Sequence, residues 1–129
     1  MSCSSRSPES YVSYLERDSD SMPGVRYRIA KMSFARRLEL LRRVREFAQR
    51  IEFLEARGEV SDRFESSVLS AEIDRLYLEW GLQAVSGLVI DGEEATPSTM
   101  IDRGPEDLAR EIVRSIREEC HLSEDERKN

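Results

Sequence analysis

The sequence is poor in the residues that build reactive sites: its 129 residues include two cysteines, one histidine and one tryptophan. Cys3 and Cys120 are too few for a disulfide framework, and the lone His121 removes every site that needs two imidazoles. Long apolar runs are missing too, since none approaches the ~20 residues that span a bilayer, and residues 1–21 lack the apolar core of a signal peptide. We therefore expect a protein of the cytoplasm that is not inserted in a membrane.

Charged residues make up 36% of the chain and hydrophobic residues only 39%, a balance that favours helices with wide solvated faces. The net charge of -6 hides an asymmetry between the two ends of the chain. Residues 1–58 carry 12 Lys/Arg and 8 Asp/Glu, a balance of +4, whereas residues 59–129 carry 8 and 18, a balance of -10. Each part can therefore present one sign of charge to the other or to a partner.

The beginning of the chain differs in composition from the rest. Residues 1–21 contain eight serines and few aliphatic side chains, which is too little apolar surface to offset the entropy of ordering. We predict a disordered tail over residues 1–21 and a single globular domain over residues 22–129, whose length fits one core. Alternation of Val25, Tyr27 and Ile29 with arginines predicts a short strand at the start of that domain.

Two amphipathic helices are predicted next. Ser33 is placed to cap the first helix and Gly58 to end it, while Ser61 or Asp62 can cap the second. The first stripe contains Phe34, Leu38, Leu41, Val44, Phe47 or Ala48, Ile51 and Leu54, and the second contains Phe64, Val68, Leu69, Ile73, Leu76, Tyr77 and Trp80. Because the link between the helices is short, they should form an antiparallel αα-hairpin whose facing stripes make the main core.

The stretch after Trp80 predicts smaller elements. Residues 85–90 and 93–96 flank Asp91-Gly92, which predicts a small β-hairpin, with the strand at 25–30 as a candidate third member because two strands alone are marginal. Thr96-Pro97 and Gly104-Pro105 each begin a helix, and Ser123 with Glu126 can cap a last turn. The second of these helices carries Leu108, Ile112, Val113 and Ile116 on one face. The expected fold class is α+β, mainly helical, with C-terminal helices.

Reactive chemistry has little support in the sequence. Cys120 and His121 would need two more ligands to bind zinc, and they would need an oxyanion site and an orienting group to act as a nucleophile and base. The acidic residues around Gly92 do not match a calcium loop, and no glycine-rich phosphate loop occurs. We therefore expect no metal, no cofactor and no enzymatic activity, and we interpret Trp80 as a core residue rather than an exposed anchor.

Arginines are abundant in the first helix. It contains seven arginines, at positions 36, 37, 42, 43, 45, 50 and 57, and four glutamates. Clustered arginines can contact phosphates, so a small nucleic-acid-binding regulator is the alternative function. We favour a solvated face with pairs such as Glu39–Arg43 and Glu46–Arg50, because the rest of the chain is acidic and aromatic residues do not interleave with the arginines. Nucleic acid is therefore the disfavoured partner.

The second part of the chain resembles a known family. The segments that carry the resemblance are W-G-L at 80–82, G-L-x-I-D-G-E-x-A-T-P at 87–97, G-P-E-D-L-x-x-E-I at 104–112 and L-S-E-D-E-R-K-N at 122–129, with weaker support from M-S-F-A-R-R-L-E-L-L-R-R-V-R-E at 32–46. In this order they resemble small bacteriophage or prophage proteins of the tail assembly chaperone type. The serine-rich start and the arginine-rich first helix lie outside that pattern.

The resemblance implies a non-enzymatic assembly factor that coats the tape measure protein during tail construction and hands over to tail tube subunits. An amphipathic helical protein with regions of opposite charge can bind a long helix through an apolar groove and use charge for register. The candidate partner-binding residues are Arg36, Arg37, Arg42, Arg43, Tyr77, Trp80, Asp91 and Gly92. Self-association into a homo-oligomer stays open.

Overall fold

The computed structural model describes residues 7–128, with side chains as far as residue 121, and has a mainly helical α+β fold. In chain order the elements are β1 (Tyr14–Asp18), β2 (Arg26–Ala30), α1 (Phe34–Arg57), α2 (Val60–Gly81), β3 (Leu82–Ser86), β4 (Val89–Ile90), β5 (Glu93–Glu94), α3 (Pro97–Arg103) and α4 (Glu106–Lys128). The helices α1 and α2 pack as an αα-hairpin, and α2 crosses α4. The predicted fold class is therefore confirmed.

A three-stranded antiparallel sheet has the order β1-β2-β3. The predicted strand near residues 25–30 is its central strand, and Tyr27 and Ile29 are buried. The Asp-Gly hairpin does not join this sheet but forms its own two-stranded sheet from β4 and β5. Gly87 separates the two sheets: it has a φ of 79°, and a β-carbon there would lie 2.2 Å from the carbonyl oxygen of Gly24. The predicted strand at 25–30 thus pairs with β1 and β3, and the predicted sheet of this strand with the Asp-Gly hairpin does not form.

The strand β1 corrects the prediction of a disordered tail over residues 1–21. Residues 1–6 lie outside the described residues, but Tyr14–Asp18 pairs along its length with β2. The following loop is also fixed, because Ser19 is buried and its hydroxyl donates a hydrogen bond to Glu111. The prediction from composition was wrong because backbone pairing holds the strand, and polar contacts with a distant helix hold the loop. Neither kind of contact needs a run of apolar residues.

The ends of α1 agree with the sequence, and the start of α2 does not. Ser33 caps α1 by accepting a hydrogen bond from the backbone N–H of Arg36, and Gly58 ends the helix in the left-handed conformation with a φ of 72°. The second helix begins at Val60 with Glu59 as its N-cap, without a side-chain cap bond, so the predicted cap at Ser61 or Asp62 is wrong. Asp62 is instead buried in the first turn, 3.1 Å from the Arg57 guanidinium.

The sequence predicted a main core along the whole αα-hairpin. In the structure, the main core covers only part of it. The largest fully buried side chains come mostly from β2, α3, α4 and the C-terminal end of α2; they are Tyr77, Ile29, Leu40, Met100, Leu108, Ile112 and Ile116. On α1 the fully buried residue is Leu40, while Phe34 and Leu38 of the predicted stripe are exposed. The predicted stripe was therefore out of phase at the start of α1, where it included Leu38 and Leu41 and left out the buried Leu40.

The C-terminal helices support the other face of α2. Thr96 and Thr99 form a capping box at the start of α3, with Pro97 in the first turn as predicted. A β-carbon at Gly81 would lie 2.7 Å from the Ile116 side chain, so the glycine permits the close crossing of α2 and α4. The helix α4 continues without a break to Lys128, which corrects the predicted separate last turn. The capping side chains proposed for that turn lie outside the described side chains.

Candidate interaction surface

The predicted partner-binding residues occupy separate places in the structure. Arg36 and Arg43 lie over the ring of Trp80, with guanidinium carbons 4.3 and 5.5 Å from the ring centroid. Trp80 is half-buried and packs against the core, and its backbone carbonyl accepts a 3.5 Å hydrogen bond from Arg36. Arg42 pairs with Glu39 at 3.0 Å on an exposed face of α1. The cluster of Arg36, Arg43 and Trp80 therefore joins the N-terminal half of α1 to the C-terminal end of α2.

The other predicted residues lie away from this cluster. Tyr77 is buried where α2 crosses α4, and its hydroxyl lies 3.2 Å from Nε2 of His121. Asp91 and Gly92 form the tight turn between β4 and β5, with φ values of 51° and 83°. The carboxylate of Asp91 accepts a 2.6 Å hydrogen bond from Arg103 of α3. Asp91 and Gly92 thus have a structural role that requires no ligand.

Arg37 has a different setting again. It is half-buried near Cys120 of α4, where its positive charge favours the thiolate. Burial of Cys120 outweighs that charge and raises the pKa of the thiol to about 11. The sulfur also lies 3.8 Å from the Met32 sulfur, inside the core. A buried and protonated thiol is a poor nucleophile, so this part of the structure offers packing rather than reactive chemistry.

Sequence reasoning missed an exposed apolar face on α2. Val60, Phe64 and Val68 are 81%, 76% and 47% exposed and follow one another at four-residue steps, which places them along one side of the helix. We call these three residues the outer face of α2. The predicted stripe of α2 merged two faces, because Ile73 is buried in the core while Phe64 and Val68 are exposed. The signal was present in the sequence as more apolar residues than a single stripe can hold.

The outer face continues into a groove between α2 and α4. A cavity of about 460 Å³ is lined by Ala71 and Leu78 of α2 and by Ala109 and Val113 of α4, among others. A second cavity of about 580 Å³ shares Val113 with it and extends along α4 towards His121. Ala71 follows Val68 by one helical turn, so the apolar surface is continuous from the exposed outer face into this α2/α4 groove.

Arginines line the wall of the α2/α4 groove that α4 provides. Arg110, Arg114 and Arg117 recur at four- and three-residue steps, and all line the larger cavity together with Asp74, Glu118 and His121. Arg117 is held by Asp74 of α2 at 3.1 Å, and Arg110 pairs with Glu106 on its own helix. Arg114 forms no ion pair with any side chain in the described part of the chain. These arginines were not predicted to form a site, because they lie in the acidic part of the chain.

A buried carboxylate on α4 has its partners within the chain. Glu111 accepts hydrogen bonds from the hydroxyls of Ser19 and Ser21 at 2.8 and 2.7 Å and from the backbone N–H groups of Asp20 and Ser21 at 3.0 and 3.1 Å. Burial opposes ionisation, but the hydrogen bonds from Ser21, Asp20 and Ser19 outweigh it and lower the pKa of Glu111 to about 2. The carboxylate therefore anchors the β1–β2 loop, and its oxygens are already occupied.

The described residues include no group of three or more His, Cys, Asp or Glu side chains placed to hold a metal ion. Nor is any helix in this part of the chain long and apolar enough to cross a membrane. The geometry thus offers an apolar face and a groove lined by charged side chains of both signs, which are features suited to binding another molecule. Comparison with protein-family models, curated proteins and solved structures gives no match for this chain.

Proposed function

We propose that this chain is a non-enzymatic interaction protein of the phage tail assembly chaperone type. In this proposal it binds the tape measure protein in the cytoplasm of the bacterial host and releases it to the tail tube subunits as the tail grows. The single observation that supports the binding role best is the outer face of α2, where Val60, Phe64 and Val68 leave large apolar areas in water. The family resemblance of residues 80–129 supplies the identity of the partners.

Exposed apolar side chains along one helical face are suited to a helical partner. Single exposed apolar residues are common, but a row of three that leads into a groove is typical of a surface that binds another protein. The row lies on the half of the αα-hairpin farthest from the sheet, and all three side chains are exposed among the described residues. A partner helix could therefore reach it without displacing any part of the described chain.

The alternative, nucleic-acid binding through α1, has less support. Arg42 and Arg43 both lie within 3.5 Å of Glu39, and Arg50 pairs with Glu65 of α2 at 3.0 Å. These carboxylates neutralise part of the positive charge that a phosphate backbone would need. The arginine-rich face of α1 thus resembles a solvated, ion-paired surface.

Co-expression provides the test. The chain would be produced together with the tape measure and tail tube proteins encoded beside its gene, and an affinity tag on this chain would be used for purification. We expect the tape measure protein to copurify in a salt-resistant complex, and a Phe64→Ser, Val68→Ser variant to lose most of it. A Phe34→Ser variant, changed at an exposed apolar residue of α1, is the matched control.

Two outcomes would count against the proposal. A genome with neither a tail tube gene nor a long tape measure gene near this one removes the proposed partners altogether. Failure of both proteins to copurify with a folded chain would have the same consequence. A gel shift with DNA or RNA that weakens steeply as salt rises would favour the alternative function instead.

A further inference from the structure

The αα-hairpin has little apolar core at the end where its two helices are joined. We call residues 52–68 the tip of the hairpin; they comprise the last turns of α1, the link and the first turns of α2. Leu54 is the only buried apolar side chain in the tip. The other large apolar side chains of the tip are exposed: Phe53, Val60, Phe64 and Val68. Apolar burial therefore contributes little to holding the tip closed.

Polar side chains occupy the rest of the interior of the tip. Asp62 and Ser66 are each 7% exposed and lie one helical turn apart on the same side of α2. Neither Oδ2 of Asp62 nor Oγ of Ser66 has a hydrogen-bond partner among the described residues. A buried polar atom without such a partner destabilises the closed state, because opening would return it to water.

Ion pairs oppose the opening of the tip. Nε of Arg57, in the last turn of α1, lies 3.1 Å from Oδ2 of Asp62, and a second nitrogen lies 3.7 Å from the Glu59 carboxylate. The Asp62 side chain is 9% exposed and the Arg57 side chain 50%, so the closed state holds a buried carboxylate against a half-solvated cation. A further pair, Arg50–Glu65, is exposed on both sides and contributes little. Arg57 is thus the main electrostatic contact that keeps the tip closed.

The link adds no further support. The N-cap of α2, Glu59, makes no side-chain cap bond, so the first turn of α2 lacks the contact that usually stabilises a helix start. A β-carbon at Gly58 would meet no heavy atom within 4 Å, which shows that the link is not packed against the rest of the described chain. At its other end α2 is held by Ile73, Tyr77 and Leu78 in the core. The two ends of α2 therefore differ in how firmly they are held.

We propose that the tip opens and closes as a unit while the sheet, α3 and α4 stay folded, and that the Arg57–Asp62 ion pair sets how often it opens. In the open state the tip loses its helical hydrogen bonds, and Asp62 and Ser66 are hydrated. The outer face of α2 lies on the tip, so each opening removes that surface and each closing restores it. Opening is a property of the chain alone and does not rest on the proposed function.

Hydrogen exchange of the full chain, followed by mass spectrometry, tests the proposal. We expect amides of the tip to exchange about 100-fold faster than amides of residues 108–116 in α4, after correction for intrinsic rates, because a local opening needs less free energy than global unfolding. Urea well below the unfolding midpoint should speed exchange in α4 steeply and in the tip only slightly, since a small opening exposes little surface.

Variants of the tip identify what holds it closed. Arg57→Gln leaves the buried carboxylate unpaired and should speed exchange in the tip about tenfold. Ser66→Ala removes an unsatisfied polar group and should slow it about threefold. Arg45→Gln, changed at an exposed arginine of α1 outside the tip, is the matched control and should stay within about twofold of the unmodified chain. Unchanged tip exchange in both Arg57→Gln and Ser66→Ala would overturn the role of the ion pair.

A variant of the core separates local opening from global unfolding. Ile112 is fully buried, so Ile112→Val destabilises the whole fold and should speed exchange in α4 about fivefold. Tip exchange should stay within about twofold, because the core remains folded when the tip opens. Tip amides that exchange as slowly as those of α4, or that speed up by the same factor in Ile112→Val, would show that the tip opens only when the whole chain unfolds, and the proposal would then be wrong.

Discussion

The two parts of the αα-hairpin differ in what they bury. Next to the sheet, α2 contributes Ile73, Tyr77 and Leu78 to the core, and these pack with buried residues of β2 and α4. Between residues 44 and 70, the only buried side chains are Leu54, Asp62 and Ser66, of which two are polar. The same length of helix thus forms a packed core at one end and a thin, partly polar contact at the other.

The difference indicates that one end of the hairpin stabilises the fold and that the other end is available for binding. Two helices that face only each other cannot bury the apolar residues on their outer sides, whereas the end near the sheet is covered by α3 and α4. Phe53, Val60, Phe64 and Val68 consequently stay exposed in the outer part of the hairpin. The folded state should therefore depend mainly on the end near the sheet, and the outer end is available to a partner.

The largest effect is expected where α4 meets the sheet. Ile112 is fully buried, so Ile112→Ala removes apolar contacts and leaves a cavity. We expect this change to lower the free energy of unfolding by about 3–4 kcal/mol. Urea denaturation followed by circular dichroism measures it. The matched change in the outer hairpin, Val68→Ala, should cost less than about 1 kcal/mol. Equal losses at the two sites would remove the distinction between the two ends of the hairpin.

The anchor of the β1–β2 loop should give a pH-dependent effect. Folding lowers the pKa of Glu111 from 4.5 to about 2, so its carboxylate stabilises the fold fully above about pH 4.5, and this contribution is lost as the pH falls towards 2. The shift corresponds to about 3 kcal/mol. Glu111→Gln should therefore destabilise the protein by about 2–3 kcal/mol at pH 7 and flatten the dependence of stability on pH between about 4.5 and 2.

Denaturation curves at a series of pH values provide this measurement. Glu118→Gln, at an exposed position on the same helix, serves as the control and should leave both stability and its pH dependence nearly unchanged. An acid transition that is identical in Glu111→Gln and the unmodified chain would show that the β1–β2 loop is held by other contacts. This outcome would also weaken the contrast between the two ends of the αα-hairpin, because the Glu111 anchor belongs to the end near the sheet.

In the part of the αα-hairpin far from the sheet, one substitution is expected to raise the free energy of unfolding slightly. The hydroxyl of Ser66 is buried and has no hydrogen-bond partner among the described residues. Ser66→Ala removes an unsatisfied polar group and introduces a better helix former, so it should raise the free energy of unfolding by about 1 kcal/mol. Thermal and urea unfolding would measure the gain. A loss of stability would mean that Ser66 has a hydrogen bond in solution, for example to water.

Local signals account for the parts of the fold that the sequence predicted. The caps at Ser33 and Gly58, the Thr96-Pro97 helix start and the alternation around Tyr27 act over a few residues, and each appears in the structure. The strand β1 could not be predicted in this way, because its loop is held by Glu111, some ninety residues further along the chain. Polar contacts over such separations leave no pattern in composition.

The surface proposed for binding could be predicted only in part. Arg36 and Arg43 do come together with Trp80, which lies 44 and 37 positions further along the chain. The arginines of α4 line a groove only because α2 lies opposite them, and no local sequence pattern specifies that position of α2. The outer face of α2 was missed for another reason: the sequence prediction placed Phe64 and Val68 in the same stripe as Ile73, although α2 holds more apolar residues than one stripe can contain.

The smallest effect on stability is expected at the centre of the outer face. Phe64 is largely exposed, and serine has a similar helix propensity, so Phe64→Ser should change the free energy of unfolding by no more than about 0.5 kcal/mol. Phenylalanine in a packed core would cost several times more, which makes this substitution a direct measure of how far α2 is covered in the unbound protein. Urea denaturation at several protein concentrations is the suitable measurement, because a concentration-dependent midpoint would reveal self-association through the outer face. A loss above about 2 kcal/mol without such dependence would mean that Phe64 is packed within the monomer, and the outer face of α2 could then not be the free docking surface on which the proposed function depends.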